Sequence, residues 1–217
     1  MMVHLPAGLC LAALGMLLIG EHRESLSLRI VAKTFASFAF VAYALALGAW
    51  TLAPAGPWIV TGLVLSVVGD LALLSRAKPA FLGGLVAFLL AHVAYVIAFV
   101  KLGVSVPGLA VMTPPVALFS ALIWHWLSPH TGELTRPVVA YIVVISAMVT
   151  CAAAAWFAQM DATRSWLLGA AILFFLSDLC VARDRFVAPG VDNRSIGLPL
   201  YYVSQLLFGY GIAHLAS

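Results

Sequence analysis

The sequence predicts an all-α, polytopic membrane protein with eight transmembrane helices, from its composition, its long apolar runs and the placement of its charges. Of its 217 residues, 64% are hydrophobic and only 9% are charged. A soluble domain is about half apolar and about a quarter charged, because it needs a charged shell to stay in water. The composition therefore excludes a soluble globular protein.

Eight segments are long and apolar enough to cross a membrane. A transmembrane helix needs about 20 predominantly apolar residues to cross about 30 Å of hydrocarbon. The predicted spans are 3–20, 30–50, 57–75, 80–100, 104–127, 137–157, 165–182 and 195–215. Their connectors are too short to hold a soluble domain, so residues 1–217 are expected to form a single transmembrane domain.

The first and fifth spans need separate arguments. The first resembles a signal peptide, but it lacks a charged region at its start and a small-residue cleavage site before Glu21, so we expect a retained helix. The fifth contains Pro107 and the pair Pro114-Pro115, which remove backbone donors and are expected to kink the helix or delay its start. The charge placement supports counting it.

The basic residues gather on one side of an eight-helix topology. The odd-numbered loops and the helix ends beside them carry nine Lys and Arg residues, which are Arg23, Arg29, Lys33, Arg76, Lys78, Arg136, Arg183, Arg185 and Arg194. The other side has only two, Lys101 and Arg164. By the positive-inside rule, the odd loops lie in the cytoplasm and both termini lie outside. We expect an integral protein of a bacterial inner membrane.

Several other classes of site are disfavoured. A net charge of only +3 without a basic stripe argues against nucleic-acid binding. Cys10, Cys151 and Cys180 lie in apolar runs without CxxC spacing, which argues against a disulfide framework and a zinc site. We expect no metal and no cofactor, and the sequence gives no indication of an oligomeric partner.

Two carboxylates lie within apolar helices, Asp70 in VVGDLALLSR and Asp178 in FFLSDLCVAR. An aspartate at a helix centre costs about 2.5–3.5 kcal/mol on insertion scales, so it must face protein or water. Each lies five or six residues before an arginine, a rise of roughly 8–9 Å. Both should therefore sit at one depth near the cytoplasmic face, where they suggest a shared site. The alternative is structural pairing with a neighbouring base.

Other polar side chains are expected in the same half of the membrane. They are Lys33, His92, Tyr95, Tyr141, Ser177, Tyr201, Tyr202 and Gln205. His92 and Tyr95 are about one helical turn apart and so share a face. Purely structural interpretations stay open for these residues. Lys33 would extend to the head groups, His92 and the tyrosines would pack between helices, and Gln205 would form an interhelical hydrogen bond.

The chain contains a weak internal sequence repeat at an offset of 108 residues, which we call the internal echo. It aligns Asp70 with Asp178, each after a small residue and before Leu, and it aligns Lys33 with Tyr141. Such an echo is typical of two parallel four-helix halves that meet at a site. The echo is partial, because it does not extend to His92.

Two classes of function fit these carboxylates. A lipid hydrolase would use one as a protonated general acid and the other as an ionised group. A transporter would use them as proton or cation relays, nearer the midplane and with broken helices. The skew of the polar layer towards one face favours a site open to that side. Nucleophilic catalysis is poorly supported, because Ser177, Ser204 and His92 form no GxSxG or HExxH arrangement.

Four segments together resemble a known family. They are GDLALL (69–74), FLGGLVAFLLAHVAYVIAF (81–99), LFFLSDLCVARDRF (173–186) and YYVSQLLFGYG (201–211). In this order they are similar to the YhhN-type lysoplasmalogenase family of membrane proteins, and the similarity extends from Lys33 over nearly the whole chain. This chain has Lys33-Thr34 where a Lys-Pro pair is usual.

The resemblance implies hydrolysis of the vinyl ether bond of a lysoplasmalogen, a lysophospholipid in the bilayer. The products would be a fatty aldehyde and glycerophosphoethanolamine or glycerophosphocholine. One of Asp70 and Asp178 would protonate carbon, and the other would stabilise the cation and activate water. The sequence leaves open which carboxyl group does which.

The remaining polar residues are assigned to substrate binding on the same basis. Lys33 is expected to bind the substrate phosphate, helped by Arg183 or another loop arginine. Six side chains are expected to line the pocket and orient water and the glycerol hydroxyl, namely His92, Tyr95, Tyr141, Tyr201, Tyr202 and Gln205, with Ser177 beside Asp178. The tail would lie between apolar helices.

Overall fold

The structure is a computed structural model that describes residues 2–52, 54–75 and 77–214. Within these residues eight α-helices form a bundle: α1 Leu5–His22, α2 Leu26–Ala46, α3 Gly56–Ala72, α4 Lys78–Lys101, α5 Val106–Leu127, α6 Thr135–Gln159, α7 Ala162–Ala182 and α8 Val191–Ala213. The described residues contain no strand, so the predicted all-α class is confirmed. Arg76 and residue 215, which belong to the sequence predictions, lie outside the described residues.

Seven of the helices are long and apolar enough to cross a membrane. The exception is α3, which is apolar but has only 17 residues. At a rise of 1.5 Å per residue it is about 26 Å long, close to the hydrocarbon thickness of about 30 Å. The protein is therefore a polytopic helical membrane protein, and the count of eight spans depends on α3.

Two helices begin a turn earlier than their apolar segments predict. Helix α2 begins at Leu26 and α8 at Val191, so Arg29 and Arg194 lie inside the helices. Both arginines contact the buried carboxylate of Glu21, at 3.4 Å and 2.7 Å. This pairing stabilises charged residues in a first turn that hydropathy alone places outside the membrane.

The fifth helix is continuous despite its prolines. It begins at Val106, so its start is later than predicted, and Pro107 falls in the first turn, where a helix has no use for the missing donor. Pro114 and Pro115 lie in its interior. Only Gly108, Ile123 and Leu127 of this helix are buried, and α5 packs mainly against α6.

The helices alternate in direction, which gives the bundle two chemically different ends. At one end Glu21 contacts Arg29 and Arg194, joining the end of α1 to the starts of α2 and α8. At the other, Ser105 N–H donates to the carbonyl of Ala154, joining α5 to α6. We call the first the basic end; its described basic residues are Arg23, Arg29, Lys33, Lys78, Arg136, Arg183, Arg185 and Arg194.

The helix contacts follow the order that two parallel four-helix halves would produce. In the first half α1 packs on α2, α2 on α3 and α3 on α4, and the second half repeats this order from α5 to α8. Between the halves, α4 packs on α6 and α8 packs on α2, which are again equivalent contacts. The halves differ in that α1 also packs on α8, whereas α5 lies at the periphery.

Small residues bring α3 against α4 in the first half. A Cβ atom on Gly62 would overlap the ring of Tyr95, and one on Gly69 would lie 2.6 Å from the ring of Phe88. Both rings are buried. Helix association in a membrane relies on such close packing, because lipid tails provide no hydrophobic driving force between helices. The two glycines therefore fix the helix that carries Asp70.

Gly62→Ala is expected to destabilise the protein by about 1–3 kcal/mol, the usual cost of overpacking a core. The added methyl group must displace the Tyr95 ring, which has no space to move because it is fully buried. Thermal unfolding in detergent measures the effect. Gly83→Ala is the control, because a Cβ atom there has no heavy atom within 4 Å. Equal melting temperatures for the two variants would contradict the close approach.

Candidate functional site

Asp70 is held on every side by polar partners. Its carboxylate is almost completely buried, and its Oδ2 accepts hydrogen bonds from Ser37 at 2.7 Å and Tyr201 at 2.6 Å. Its Oδ1 lies 3.2 Å from the ammonium nitrogen of Lys33. A cation at this distance favours the charged form of a carboxyl group, whereas burial opposes it. The predicted pairing of Asp70 with a neighbouring base is thus one of its contacts.

The helix geometry explains this cluster. Lys33 and Ser37 are four residues apart on α2 and therefore share a face. The hydroxyl of Tyr202 lies 3.1 Å from Ser37 Oγ and donates to the carbonyl of Lys33 at 3.4 Å. The Asp70 cluster, consisting of Lys33, Ser37, Asp70, Tyr201 and Tyr202, joins α2, α3 and α8.

Asp178 has a different environment. Its Oδ2 accepts a hydrogen bond of 2.6 Å from the hydroxyl of Tyr141 and lies 3.5 Å from Nε2 of His92. Among the described residues, no Lys or Arg lies within ion-pair distance of it. Its side chain is 14% exposed, compared with 3% for Asp70. We call Asp178, Tyr141 and His92 the Asp178 cluster; it joins α4, α6 and α7.

His92 is completely buried inside this cluster. Its ring packs between Tyr141, at 5.2 Å between centroids, and Phe174, at 4.4 Å. Within the described part of the chain, its Nε2 makes no hydrogen bond. A buried polar atom without a partner costs about 1–3 kcal/mol. The nitrogen next to Asp178 therefore has unused hydrogen-bonding capacity.

The two clusters lie side by side but share no polar partner among the described residues. Asp70 contacts Lys33, Ser37 and Tyr201, whereas the Asp178 cluster contains none of them. Phe174 lies between the clusters. The centroid of its ring is 4.4 Å from that of the His92 ring and 5.4 Å from that of the Tyr201 ring.

The internal echo of the sequence reappears in these contacts. The offset that aligns the two aspartates also aligns Lys33 with Tyr141. In each half these partners meet, as an ion pair with Asp70 and as a hydrogen bond to Asp178. The same backbone arrangement thus carries a charged pair in one half and a neutral donor in the other.

The other predicted site residues bind to protein groups. Tyr95 donates a 2.8 Å hydrogen bond to Gln205, so these two side chains connect α4 to α8. Ser177 donates to the carbonyl of Gly197 at 3.0 Å, and Arg183 donates to the side chain of Asn193 at 2.5 Å. A direct role for any of them in substrate binding stays a prediction.

Two residues of this region were not singled out from the sequence. Ser37 lies one helical turn after Lys33, and that spacing is the signal that could have identified it. Glu21 closes an apolar run, and its partner Arg194 is distant in sequence. In the parts of the chain that the structure describes, no three His, Cys, Asp or Glu side chains come together to hold a metal ion.

Comparisons with known proteins place this chain in a family. The chain is 34% identical to a lysoplasmalogenase of Mycobacterium bovis over 156 residues, which cover 67% of this chain and 55% of the relative. It is 33% identical to lysoplasmalogenase TMEM86A of Bos taurus over 158 residues, which cover 71% of this chain and 64% of the relative. To human lysoplasmalogenase TMEM86B it is 33% identical over 161 residues, 73% of this chain and 66% of the relative.

The matched region thus spans a little over half of the mycobacterial relative and about two thirds of the mammalian ones. No solved structure matches the chain. The family model described as the YhhN family matches residues 28–212, a range that includes both carboxylate clusters and all the predicted site residues. The chain therefore belongs to the YhhN family.

Proposed function

We propose that this protein hydrolyses the vinyl ether bond of lysoplasmalogens, releasing a fatty aldehyde and glycerophosphoethanolamine or glycerophosphocholine. The names of its relatives support this activity. The observation that carries the proposal is the Asp178 cluster, in which a carboxyl group without a neighbouring cation lies beside an imidazole nitrogen that makes no hydrogen bond within the described residues.

The reaction requires a proton at carbon. Protonation of the β-carbon of a vinyl ether creates an oxocarbenium ion, water adds to the charged carbon, and the hemiacetal collapses to aldehyde and alcohol. A general acid and a nearby anion therefore supply what catalysis needs. Carboxyl groups play these roles for the related ions of glycoside hydrolysis.

Asp178 is the proposed acid. A carboxyl group keeps its proton in apolar surroundings more readily when no cation stands beside it, and Asp178 has only Tyr141 and His92 as polar partners among the described residues. It is also the more exposed of the two aspartates. Once it has given its proton to carbon, the resulting carboxylate faces the oxocarbenium ion and stabilises it.

His92 is the proposed partner for water. Its Nε2 lies 3.5 Å from the carboxyl oxygen of Asp178 and makes no hydrogen bond within the described residues. A water molecule bound there would approach the charged carbon and pass its proton to the imidazole or to Asp178. As the hemiacetal breaks, that proton goes to the glycerol oxygen, and the proton of the hemiacetal hydroxyl returns to Asp178 as the aldehyde forms. The acid is thereby restored, and one water molecule is consumed for each vinyl ether bond.

Asp70 is proposed to position the site rather than to react. Lys33, Ser37 and Tyr201 occupy its carboxylate and leave it nearly inaccessible. Its contacts hold α2, α3 and α8 together, and Phe174 packs both on Tyr201 and on His92. A disturbance at Asp70 would therefore reach the Asp178 cluster through packed rings.

The orientation of the site follows from charge. Eight described Lys and Arg residues lie at the basic end, so we propose that this end faces the cytoplasm and that both termini lie on the opposite side. The lipid tail would extend from the carboxylate layer between the apolar helices. The comparisons give the transporter hypothesis no support.

The test is aldehyde release from the purified protein in detergent. Lysoplasmenylethanolamine is the substrate, and the saturated alkyl ether analogue is the control, because an alkyl ether has no double bond to protonate. We expect aldehyde from the vinyl ether alone. Aldehyde from neither lipid with a folded protein would overturn the proposal. Ion flux in sealed vesicles without lipid turnover would restore the transporter.

A further inference from the structure

We propose that Arg29 and Arg194 form a binding site for the phosphodiester of a lysophospholipid head group, with Glu21 as the anion that the phosphodiester replaces. This inference rests on the proposed function, because it names where the head group of that substrate binds. The three residues, which we call the arginine pair and its carboxylate, lie at the basic end in the seam between α2 and α8.

Two guanidinium groups converge on one carboxylate oxygen. Oε2 of Glu21 lies 3.4 Å from Nη1 of Arg29 and 2.7 Å from Nε of Arg194. Nε of Arg29 is buried and makes no hydrogen bond within the described residues. The arginine side chains are 22% and 26% exposed, so an anion from the membrane surface is able to reach them. Arginine donors in this arrangement suit phosphate oxygens.

The arginine pair lies at the depth that the substrate requires. Arg29 is four residues before Lys33 on α2, a rise of about 6 Å. Arg194 also contacts Asp184 at 3.2 Å. Asp184 is in the π-helical turn Arg183–Val187 that follows α7, and the α-helical steps from Asp178 to Ala182 alone give a rise of about 6 Å. Both carboxylates therefore lie one to two helical turns deeper than the arginines. A glycerol unit bridges a comparable distance between its phosphate and its vinyl ether.

The second half of the chain lacks this cluster. The offset of 108 residues aligns Arg29 with Pro137, Arg194 with Val86 and Glu21 with Pro129. The arginine pair and its carboxylate thus lie where the two halves differ, at the contact that α1 makes with α8.

The test measures binding without turnover. A saturated alkyl ether lysophosphoethanolamine is the probe, and the corresponding alkylglycerol, which lacks phosphate, is the comparison. We expect Arg29→Gln and Arg194→Gln each to weaken binding of the phospholipid probe about tenfold, the usual effect of losing a charged hydrogen bond. Binding of the alkylglycerol should not change. Arg136→Gln is the matched control, because Arg136 is exposed at the same end.

The variant Glu21→Gln distinguishes a ligand-binding site from a purely structural salt bridge. If the Glu21 carboxylate competes with the phosphodiester, Glu21→Gln should strengthen binding of the phospholipid probe several-fold. If the three residues only join the helices, Glu21→Gln should weaken binding of both probes or change neither, and this result would overturn the proposal. So would equal losses for phospholipid and alkylglycerol in the arginine variants.

Soluble glycerophosphoethanolamine distinguishes the source of the phosphodiester. We expect it to bind much more weakly than the lipid probe, because it has no tail to place between the helices. Equally tight binding would overturn the assignment to a lipid head group. These measurements use a lipid that is not hydrolysed, so their failure is distinct from a failure to release aldehyde.

Discussion

Asp178→Asn is expected to lower kcat for aldehyde release by about a thousandfold, within the range that a general acid contributes. The amide has nearly the shape of the carboxyl group but no acidic proton to transfer to carbon. Its oxygen is still able to accept the hydrogen bond from Tyr141. We therefore expect a folded protein that binds substrate and does not turn it over. The measurement is kcat at saturating lysoplasmenylethanolamine, together with the melting temperature in detergent.

Tyr141→Phe is the companion variant for this prediction. It removes the hydrogen bond to Asp178 and leaves the acid in place, so its kcat should fall much less than that of Asp178→Asn. The helix contacts of Tyr141 are largely retained by phenylalanine. An Asp178→Asn protein that kept more than half of its activity would remove Asp178 from the catalytic role and leave Asp70 as the remaining acid.

Much of the fold could be predicted because a bilayer restricts what a chain does. Apolar runs such as 80–100 must be helical, since hydrocarbon offers no partner for backbone groups. The structure has a helix at Lys78–Lys101. The depth of Asp70 and Asp178 also followed from rise per residue, and both lie near the ends of their helices.

The starts of α2 and α8 could not be predicted in the same way. Hydropathy treats Arg29 and Arg194 as the edge of the membrane, because an isolated arginine is costly in hydrocarbon. In the folded chain a single distant carboxylate, Glu21, offsets both charges and lets the helices continue. No local pattern in the sequence contains that information.

The side chains that contact each carboxylate from neighbouring helices could not be predicted from the sequence either. Depth is one coordinate, and two side chains at one depth meet only if their helices are neighbours that turn the correct faces to each other. Asp70 and Asp178 were expected to share a site, whereas the structure gives each its own cluster with Phe174 between them. The internal echo could have indicated this separation, because it aligns Lys33 with Tyr141 as equivalent positions in the two halves, each beside its own aspartate.

Lys33→Met is expected to destabilise the protein by about 3–5 kcal/mol, the usual cost of leaving one member of a buried ion pair without its partner. Asp70 is only 3% exposed and is fixed on α3, so its carboxylate has no route to water. Asp70→Asn should cost less, because the flexible lysine, 13% exposed near the basic end, is able to extend to the head groups. Thermal unfolding in detergent measures both. Lys101→Met, an exposed lysine at the opposite end, is the control.

The double variant Lys33→Met/Asp70→Asn tests why the pair exists. The double variant leaves no unpaired charge in the protein interior, so it should be more stable than Lys33→Met. In a double-mutant cycle, the two substitutions should therefore cost less together than the sum of their separate costs. A melting temperature for Lys33→Met equal to that of the wild type would instead show that Lys33 extends to the membrane surface and does not pair with Asp70. If the double variant regains stability and keeps its kcat but has a raised KM, the ammonium of Lys33 also contributes to holding the substrate phosphate. If it regains stability and loses kcat, the electrostatic field of the Asp70 cluster acts on the reaction next to it.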